Sequence, residues 1–187
     1  MSHSQSPAVE RLITGDELFE MGDIGPCELV DGRIVPMTPT GDEHGTIEFR
    51  LGARLVQFVD LRGTARVVGG EVGIYTRRNP DRVRGADIAV ISKGRLPGEP
   101  RKGFLDVAPE LVVEIMSPDD RWQDVRQKIG EYFTIGVDRV WIVEPENRSV
   151  LVFTSPTESR QVGENDDLKG EGPLEGFSIR VSDIFAA

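Results

Sequence analysis

The sequence has little cysteine, few aromatic residues and no long hydrophobic run. Cys27 is alone among 187 residues, of which 6% are aromatic. A lone cysteine excludes an internal disulfide and a zinc site built on several cysteines, and it fits a reducing cytoplasm. No apolar stretch approaches the roughly 18 residues that a membrane helix needs. The polar N-terminus also lacks the apolar core of a signal peptide. We therefore predict a cytoplasmic protein without membrane attachment.

The sequence also has few histidines and lacks the usual glycine-rich motifs. His3 and His44 are the only histidines, which excludes a site with several imidazole ligands. The sequence has no phosphate-binding G-x-x-x-x-G-K-[ST] loop and no G-x-G-x-x-G followed by a predicted helix. It has no G-x-S-x-G nucleophile elbow either. Nucleotide-binding folds of those types and serine hydrolases are thereby disfavoured.

Negative charge predominates, but it is unevenly distributed. The net charge is −10, which argues against nonspecific coating of nucleic acid. Residues 77–102 nevertheless contain eight basic and three acidic side chains, a local charge of +5. The irregular Ser92–Phe104 segment within this region is a candidate for contact with a phosphate backbone. The alternative is that these basic residues only keep surface loops soluble.

The pattern of apolar residues predicts one α/β domain over residues 1–187, with residues 1–10 as a disordered tail. A capping box at Thr14 predicts a short helix, and Asp31-Gly32 predicts a hairpin turn between two short strands. We expect a mixed central sheet flanked by helices, with this N-terminal hairpin as an extension. The predicted helices are Asp16–Met21, Glu43–Leu61 and Trp122–Thr134, and the further strands are Val67–Tyr75, Val83–Ile91, Leu111–Met116, Arg139–Val143 and Ser149–Thr154. Ser155–Pro173 reads as a polar surface excursion and Leu174–Phe185 as a final apolar element.

Two acids stand inside apolar strands. Glu114 lies in the run Leu111–Met116, and Asp87 enters the run Ile88–Ile91. An unpartnered charge in such a strand costs roughly several kcal/mol, so a cation or a hydrogen-bond donor must lie next to it. Two such acids indicate a shared metal ion on the sheet. The alternative is ordinary ion pairing, with a buried arginine for Glu114 and with the nearby Arg82 and Arg84 for Asp87.

The helix that follows the Glu114 strand carries Lys128 beside its apolar stripe. A lysine near two metal-binding carboxylates can stabilise negative charge that develops during phosphodiester hydrolysis, or position the attacking water. Asp124 lies four residues earlier, so Lys128 could equally form an ordinary surface ion pair.

The order and spacing of these motifs resemble the Uma-type family of restriction-endonuclease-like proteins, within the PD-(D/E)xK nuclease superfamily. The resemblance runs from residue 27 to residue 177. It is strongest at Arg84–Val90, Pro109–Pro118, Lys128–Tyr132, Gly136–Val137 and Val140–Val143.

The resemblance implies a restriction-endonuclease-like core that binds Mg²⁺ or Mn²⁺ through Asp87, Glu114 and the carbonyl of Ile115. The superfamily's proline before the aspartate is Ala86 here, and its usual lysine position is Met116. In this family the lysine has moved to the following helix, which assigns that role to Lys128.

The resemblance also includes the positions of Glu28 and His44. Glu28 is a candidate member of the acidic cluster, or else a polar edge-strand residue. His44 could touch substrate, tune the metal or act as a base, although a histidine at a helix start is more often a hydrogen-bonding residue. Glu71 is a further acid that could support the site from behind the metal ligands.

These observations predict a metal-dependent endonuclease that hydrolyses DNA and works as a homodimer. One alternative is a binding or scaffold protein that keeps the nuclease fold without turnover. Another is a phosphodiesterase acting on RNA or a smaller phosphoester, since fold does not decide substrate.

Overall fold

The structure, a computed structural model, describes residues 11–96 and 102–186. Its helices are α1 (Gly15–Glu20), α2 (Asp42–Arg62), α3 (Trp122–Thr134) and α4 (Val181–Ile184). Its strands are β1 (Cys27–Val30), β2 (Arg33–Pro36), β3 (Ala65–Arg77), β4 (Arg82–Ser92), β5 (Leu111–Ile115), β6 (Arg139–Glu144), β7 (Ser149–Phe153), β8 (Ser159–Val162), β9 (Asp167–Lys169) and β10 (Ser178–Arg180). In these ranges no helix combines the length and the apolar character that crossing a membrane requires.

Local sequence signals account for the N-terminal elements. The Thr14 side chain accepts a hydrogen bond from the Glu17 N–H, and the Glu17 carboxylate accepts from the Thr14 N–H. This reciprocal capping box starts α1. Asp31 and Gly32 have φ angles of +54° and +76°, the left-handed pair that a tight hairpin turn requires. The predicted hairpin is confirmed as β1 and β2.

Eight strands form one mixed sheet in the order β2-β1-β4-β5-β6-β7-β8, with β3 paired to β4. The β5–β6 pair is parallel, and α3 lies between these two strands in sequence. The remaining neighbours are antiparallel. This arrangement confirms the predicted α/β fold with a mixed central sheet.

The two faces of the sheet carry separate hydrophobic cores. The alternation of side chains along β4 and β5 sends Ile88 and Val113 to one face and Ala89 and Val112 to the other. Helix α2 packs on the first face through Ile47, Leu51, Leu55 and Val59. Helix α3 packs on the second face through Val125, Ile129 and Tyr132. The two helices therefore reach the sheet from opposite sides.

The segment predicted as a polar surface excursion, residues 155–173, is largely exposed but contains two strands that were not predicted. That segment contains β8, which extends the main sheet, and β9, which pairs with β10. The apolar residues of β8 and β9 are isolated. Val162 and Leu168 are buried, and the other residues of these strands are polar and exposed. Edge strands of this kind have too few apolar residues to show alternation. The final segment divides into a 3-10 turn at 172–174, β10 and α4.

The basic segment is largely neutralised within the fold. Of its seven basic side chains that the structure describes, five form ion pairs with carboxylates, namely Arg77, Arg78, Arg82, Arg84 and Arg95. Arg95 pairs with Glu110 and Asp138 and donates to the carbonyls of residues 108, 109 and 136. Arg95 is therefore not available for the phosphate contact considered above. Arg101 and the predicted tail, residues 1–10, lie outside the described residues.

Glu131 on α3 joins two strands through its carboxylate. It accepts hydrogen bonds from Arg84 at 2.7 and 2.9 Å, from the Thr76 hydroxyl at 3.2 Å and from Gln127 at 2.9 Å. It also pairs with Arg82. Burial alone would raise the pKa of Glu131, but these donors outweigh it and lower the pKa.

We predict that Glu131→Gln lowers the free energy of unfolding at pH 7 by about 2–4 kcal/mol, because Arg82 and Arg84 each lose one of their two carboxylate partners. A lowered carboxyl pKa gives stability that is present above the unfolded-state value and is lost as pH falls through the folded-state value. Urea unfolding at pH 7, 5, 4 and 3 should show the difference between wild type and variant persisting at pH 5 and shrinking toward pH 3, because the stability is lost below the unfolded-state pKa. The exposed Glu146→Gln serves as control. Parallel loss of stability in wild type and Glu131→Gln would contradict this prediction.

Candidate active site

The candidate site lies at a gap along one edge of β4. On this edge Val83 pairs with Leu29 of β1, and Ile88 pairs with Val113 of β5. Among the described strands, no registered partner covers residues 84–87 there. The Asp87 carboxylate accepts the Ile115 N–H, which places Asp87 beside Glu114 at the end of β5. Both acids therefore face an opening in the sheet between β1 and β5.

Glu114 is held from the α3 side. The Tyr132 hydroxyl donates to Glu114 Oε1 at 2.5 Å, and Lys128 Nζ donates to Oε2 at 3.2 Å. Burial raises the pKa of Glu114 to about 7, with Lys128 and Tyr132 lowering it and Asp87 and Glu28 raising it. Each carboxylate oxygen still has a lone pair to offer, since a carboxylate accepts about four hydrogen bonds or metal contacts.

The Lys128 ammonium connects three elements. It lies 3.0 Å from Glu28 Oε1 and 3.2 Å from Glu114 Oε2, and it donates to the Gly85 carbonyl at 3.3 Å. Burial acts to lower the pKa of Lys128, but Glu114 and Glu28 outweigh it and raise the pKa. Lys128 is therefore charged at neutral pH and points at the site. These contacts differ from the alternative considered above, a surface ion pair between Lys128 and Asp124.

Glu28 enters the site from the N-terminal hairpin. Its Oε1 accepts the Gly85 N–H at 3.1 Å, and its Oε2 accepts Arg84 Nη1 at 2.7 Å. The same Arg84 guanidinium binds Glu131, and the two glutamates outweigh burial and raise the pKa of Arg84. Glu28 is thus a buried carboxylate with two cationic neighbours, Arg84 and Lys128, rather than a polar residue on an open edge.

Asp87 is 3% exposed and contacts α2 and β5. Its Oδ2 accepts the Ile115 N–H at 2.5 Å, and its Oδ1 lies 3.4 Å from His44 Nε2. Burial lowers the pKa of His44, but Asp87, Glu48 and Glu71 outweigh it and raise the pKa. Arg82 and Arg84, the alternative partners of Asp87, instead pair with Asp31, Glu28 and Glu131.

Glu71 approaches the site from a bulge in β3. The β3–β4 register shifts between Gly69 and Val72, and Glu71 itself has a φ of +58°. Its carboxylate lies over Gly85, where an added Cβ would meet Glu71 Oε2 at 2.7 Å. Burial raises the pKa of Glu71 to about 7 together with the charge of Asp87, while Lys128 and His44 lower it.

The site therefore contains more buried carboxylates than buried cationic side chains. Asp87 raises the pKa of both Glu71 and Glu114, a sign that these carboxylates repel one another. Carboxylate oxygens are the ligands that Mg²⁺ and Mn²⁺ prefer. A divalent cation beside Asp87 would relieve the repulsion, so the donor set fits the metal that the resemblance implies.

A cleft of about 370 Å³ opens beside His44 at the carboxyl end of β5. His44 lies on one wall, and Met116 follows the strand on another. Its rim is strongly acidic and carries Asp42, Glu43, Asp120, Glu144 and Glu146.

Sequence reasoning missed four residues that belong to this constellation. The Tyr132 ring is fully buried in the core, but its hydroxyl binds Glu114. Arg84 and Glu131 lie in segments where the family resemblance is strongest, but no sequence pattern pairs them with each other. Glu48 has one, because it follows His44 by four residues and so projects from the same face of α2. Its carboxylate accepts the Gly70 N–H at 2.7 Å.

Comparisons with known proteins agree with the fold. The family described as "Uma2: Putative restriction endonuclease" matches residues 16–182. One similar solved structure is described as a "putative nuclease belonging to DUF820" from Anabaena variabilis ATCC 29413. It superposes with a TM-score of 0.77 at 21% identity, and the match covers 92% of this chain and 97% of that one. Among curated proteins there is no match.

We predict a strong energetic coupling between Lys128 and Glu28. Lys128→Met should lower the free energy of unfolding by about 3–5 kcal/mol, because it leaves buried carboxylates without their cation. Adding Glu28→Gln to that variant should restore about 1–3 kcal/mol relative to additivity. Urea unfolding of the wild type, both single variants and the double variant measures this coupling. A coupling energy of zero would mean that the ammonium does not bind Glu28.

Proposed function

Because the chain belongs to the family described as "Uma2: Putative restriction endonuclease", we propose that it is a metal-dependent endonuclease that hydrolyses DNA. The observation that supports this most directly is the Lys128 ammonium bound to Glu114, beside Asp87, at the gap in the sheet. Two carboxylates and a lysine are a sufficient set of side chains for phosphodiester hydrolysis.

In this proposal Asp87, Glu114 and the Ile115 carbonyl hold Mg²⁺ or Mn²⁺. When bound, such an ion polarises the phosphoryl oxygens and lowers the pKa of a bound water. The Ile115 N–H holds one oxygen of Asp87, and Tyr132 holds one oxygen of Glu114. These contacts fix the direction of both carboxylates before any ligand arrives, which reduces the cost of organising the site.

Lys128 would stabilise the negative charge that develops on the phosphate as water attacks. The water oxygen forms a bond to phosphorus and gives up a proton, and the bond from phosphorus to the 3′-oxygen breaks. The 3′-oxygen takes up a proton, so the products are a 3′-hydroxyl and a 5′-phosphate. The Gly85 carbonyl and Glu28 fix the ammonium during this step, because they bind it independently of Glu114.

A homodimer is part of the proposal, since cutting both strands of a duplex uses two sites related by symmetry. The His44 imidazole, beside Asp87, would assist as a positioning group, with Glu71 behind the carboxylates. We expect the protein to act in the cytoplasm, where its single cysteine stays reduced.

A second candidate function has a specific observation in its favour. The cleft beside His44 is lined by five acids, which would repel a phosphate backbone. A role in binding without turnover, or hydrolysis of RNA or of a small phosphoester, would use the same fold and site. Small substrates would avoid most of the acidic rim.

We predict that the purified protein nicks supercoiled plasmid in Mg²⁺ or Mn²⁺. Asp87→Asn, Glu114→Gln and Lys128→Met should each lower the nicking rate by about 10²–10³-fold, the usual effect of removing one charge-stabilising group. Gel electrophoresis of timed reactions measures the rate, and parallel reactions with RNA and a simple phosphodiester identify the preferred substrate.

The exposed Asp124→Asn and Arg126→Met, on the same helix as Lys128, are matched controls and should nick at the wild-type rate. Equal nicking by wild type and all site variants would assign the activity to a contaminant. No hydrolysis of any of the three substrates by a folded wild type would favour the binding role.

A further inference from the structure

We infer that the acidic cleft beside His44 binds an organic polycation, a linear polyamine whose ammonium groups contact the cleft carboxylates and the ring nitrogen Nδ1 of His44. The cleft lies at the carboxyl ends of β5 and β6, beside the start of α2. Its acids have no part in the metal site or the hydrolysis proposed above, and they are Asp42, Glu43, Asp120, Glu144 and Glu146. The inference therefore concerns a separate binding site and does not depend on nuclease activity.

The charge of the cleft has no internal counterpart. Its described lining contains five carboxylates and neither lysine nor arginine. Elsewhere carboxylates are paired, as Glu28 is with Arg84 and Glu164 with Arg148. Within the described parts of the chain no such pair includes an acid of the cleft. A cleft lined by charges of one sign concentrates the potential inside it, so a cation that enters would relieve the repulsion.

Local roles explain the positions of these acids but not the lack of a cation. Asp42 and Glu43 lie in the first turn of α2, where a carboxylate stabilises the positive end of the helix dipole. Glu144 is 8% exposed and accepts hydrogen bonds from the Ser149 hydroxyl at 2.9 Å and from the Asn147 amide at 3.2 Å. All of these donors are neutral, so the negative charge of the cleft stays uncompensated.

His44 supplies an observation that is independent of the acids. Its side chain is 8% exposed and lines the cleft. Nε2 is the ring nitrogen that lies 3.4 Å from Asp87 Oδ1, which assigns the proton of the neutral ring to Nε2 and leaves Nδ1 as an acceptor. Among the described residues Nδ1 has no hydrogen-bond partner. A buried acceptor without a donor is costly, and an ammonium group in the cleft would supply the missing donor.

The rest of the lining favours a chain of ammonium and methylene groups over a metal ion. Met116, Pro118, Trp122 and Pro145 give the cleft apolar surface. Methylene groups pack on such surface, and an indole ring attracts an ammonium group placed over its face. At about 370 Å³ the cleft falls in the range of roughly 300–1,000 Å³ that is typical of small-molecule sites. The combination of carboxylates and apolar groups therefore matches a linear polyamine such as spermidine.

The test titrates the full chain with spermidine at pH 8 and low salt, and isothermal calorimetry measures the affinity. The double variant Glu43→Gln/Glu146→Gln removes two exposed charges of the cleft and should weaken binding by about 3–30-fold. The double variant Asp124→Asn/Glu158→Gln changes the net charge equally, at exposed positions outside the cleft. This matched control should bind spermidine as the wild type does.

A second measurement follows the His44 ring itself. In protein labelled with ¹⁵N-histidine, spermidine should shift the Nδ1 resonance of His44, because the nitrogen gains a hydrogen-bond donor. The resonances of His3, the only other histidine, should not move. The spectrum of His44→Gln assigns the two sets of signals.

Three results would overturn the inference. Equal weakening in both double variants would mean that only the net charge of −10 attracts spermidine. An unmoved His44 resonance would place the polyamine outside the cleft. Tighter binding of Mg²⁺ than of spermidine, lost in Glu43→Gln/Glu146→Gln, would make the cleft a metal site instead. Thermal unfolding verifies that each variant is folded, and no hydrolysis enters these measurements, so they are independent of the proposed nuclease activity.

Discussion

The Lys128 ammonium is the interaction on which the rest of the site depends. Glu28, Glu71, Asp87 and Glu114 converge from β1, β3, β4 and β5, and without a cation their mutual repulsion would be unopposed. Lys128 reaches Glu28, Glu114 and the Gly85 carbonyl at once, so one side chain of α3 joins three strands. Arg84 likewise forms ion pairs with both Glu28 and Glu131. The site is thus built from acids that the fold holds together with two buried cations.

Because α2 and α3 pack on opposite faces of the sheet, the two sides of the site carry different chemical groups. Helix α3 supplies a lysine and a tyrosine hydroxyl to Glu114, whereas α2 supplies an imidazole and a carboxylate to Asp87. Each helix is fixed by its own hydrophobic core. The strands β4 and β5 carry the acids of both sides, and the hydrogen bond from the Ile115 N–H to Asp87 brings the two acids next to each other.

Much of this arrangement could be predicted from the sequence, because the strands that carry Asp87 and Glu114 are strongly apolar and an acid inside them is conspicuous. The bounds of α3 and the hairpin turn followed from equally local signals. Lys128 could not be derived that way, since its spacing from Asp124 also fits a surface pair, and only the family resemblance selected it. Glu131 and Arg84 are brought together across 47 positions, and β8 is an edge strand without apolar alternation. Contacts of that kind depend on tertiary packing, which local patterns do not encode.

The internal neutralisation of the basic segment has a consequence for the kinetics of encounter. Arg77, Arg78, Arg82, Arg84 and Arg95 are paired with carboxylates of the same chain, so the field outside the molecule follows its net charge of −10 and the acidic lining of the cleft. A polyanion would approach against that field. Raising the ionic strength shortens the screening distance from about 30 Å at 0.01 M to about 10 Å at 0.1 M. Association with a polyanion should therefore accelerate with added salt, the opposite of the behaviour of a protein that binds through released counterions.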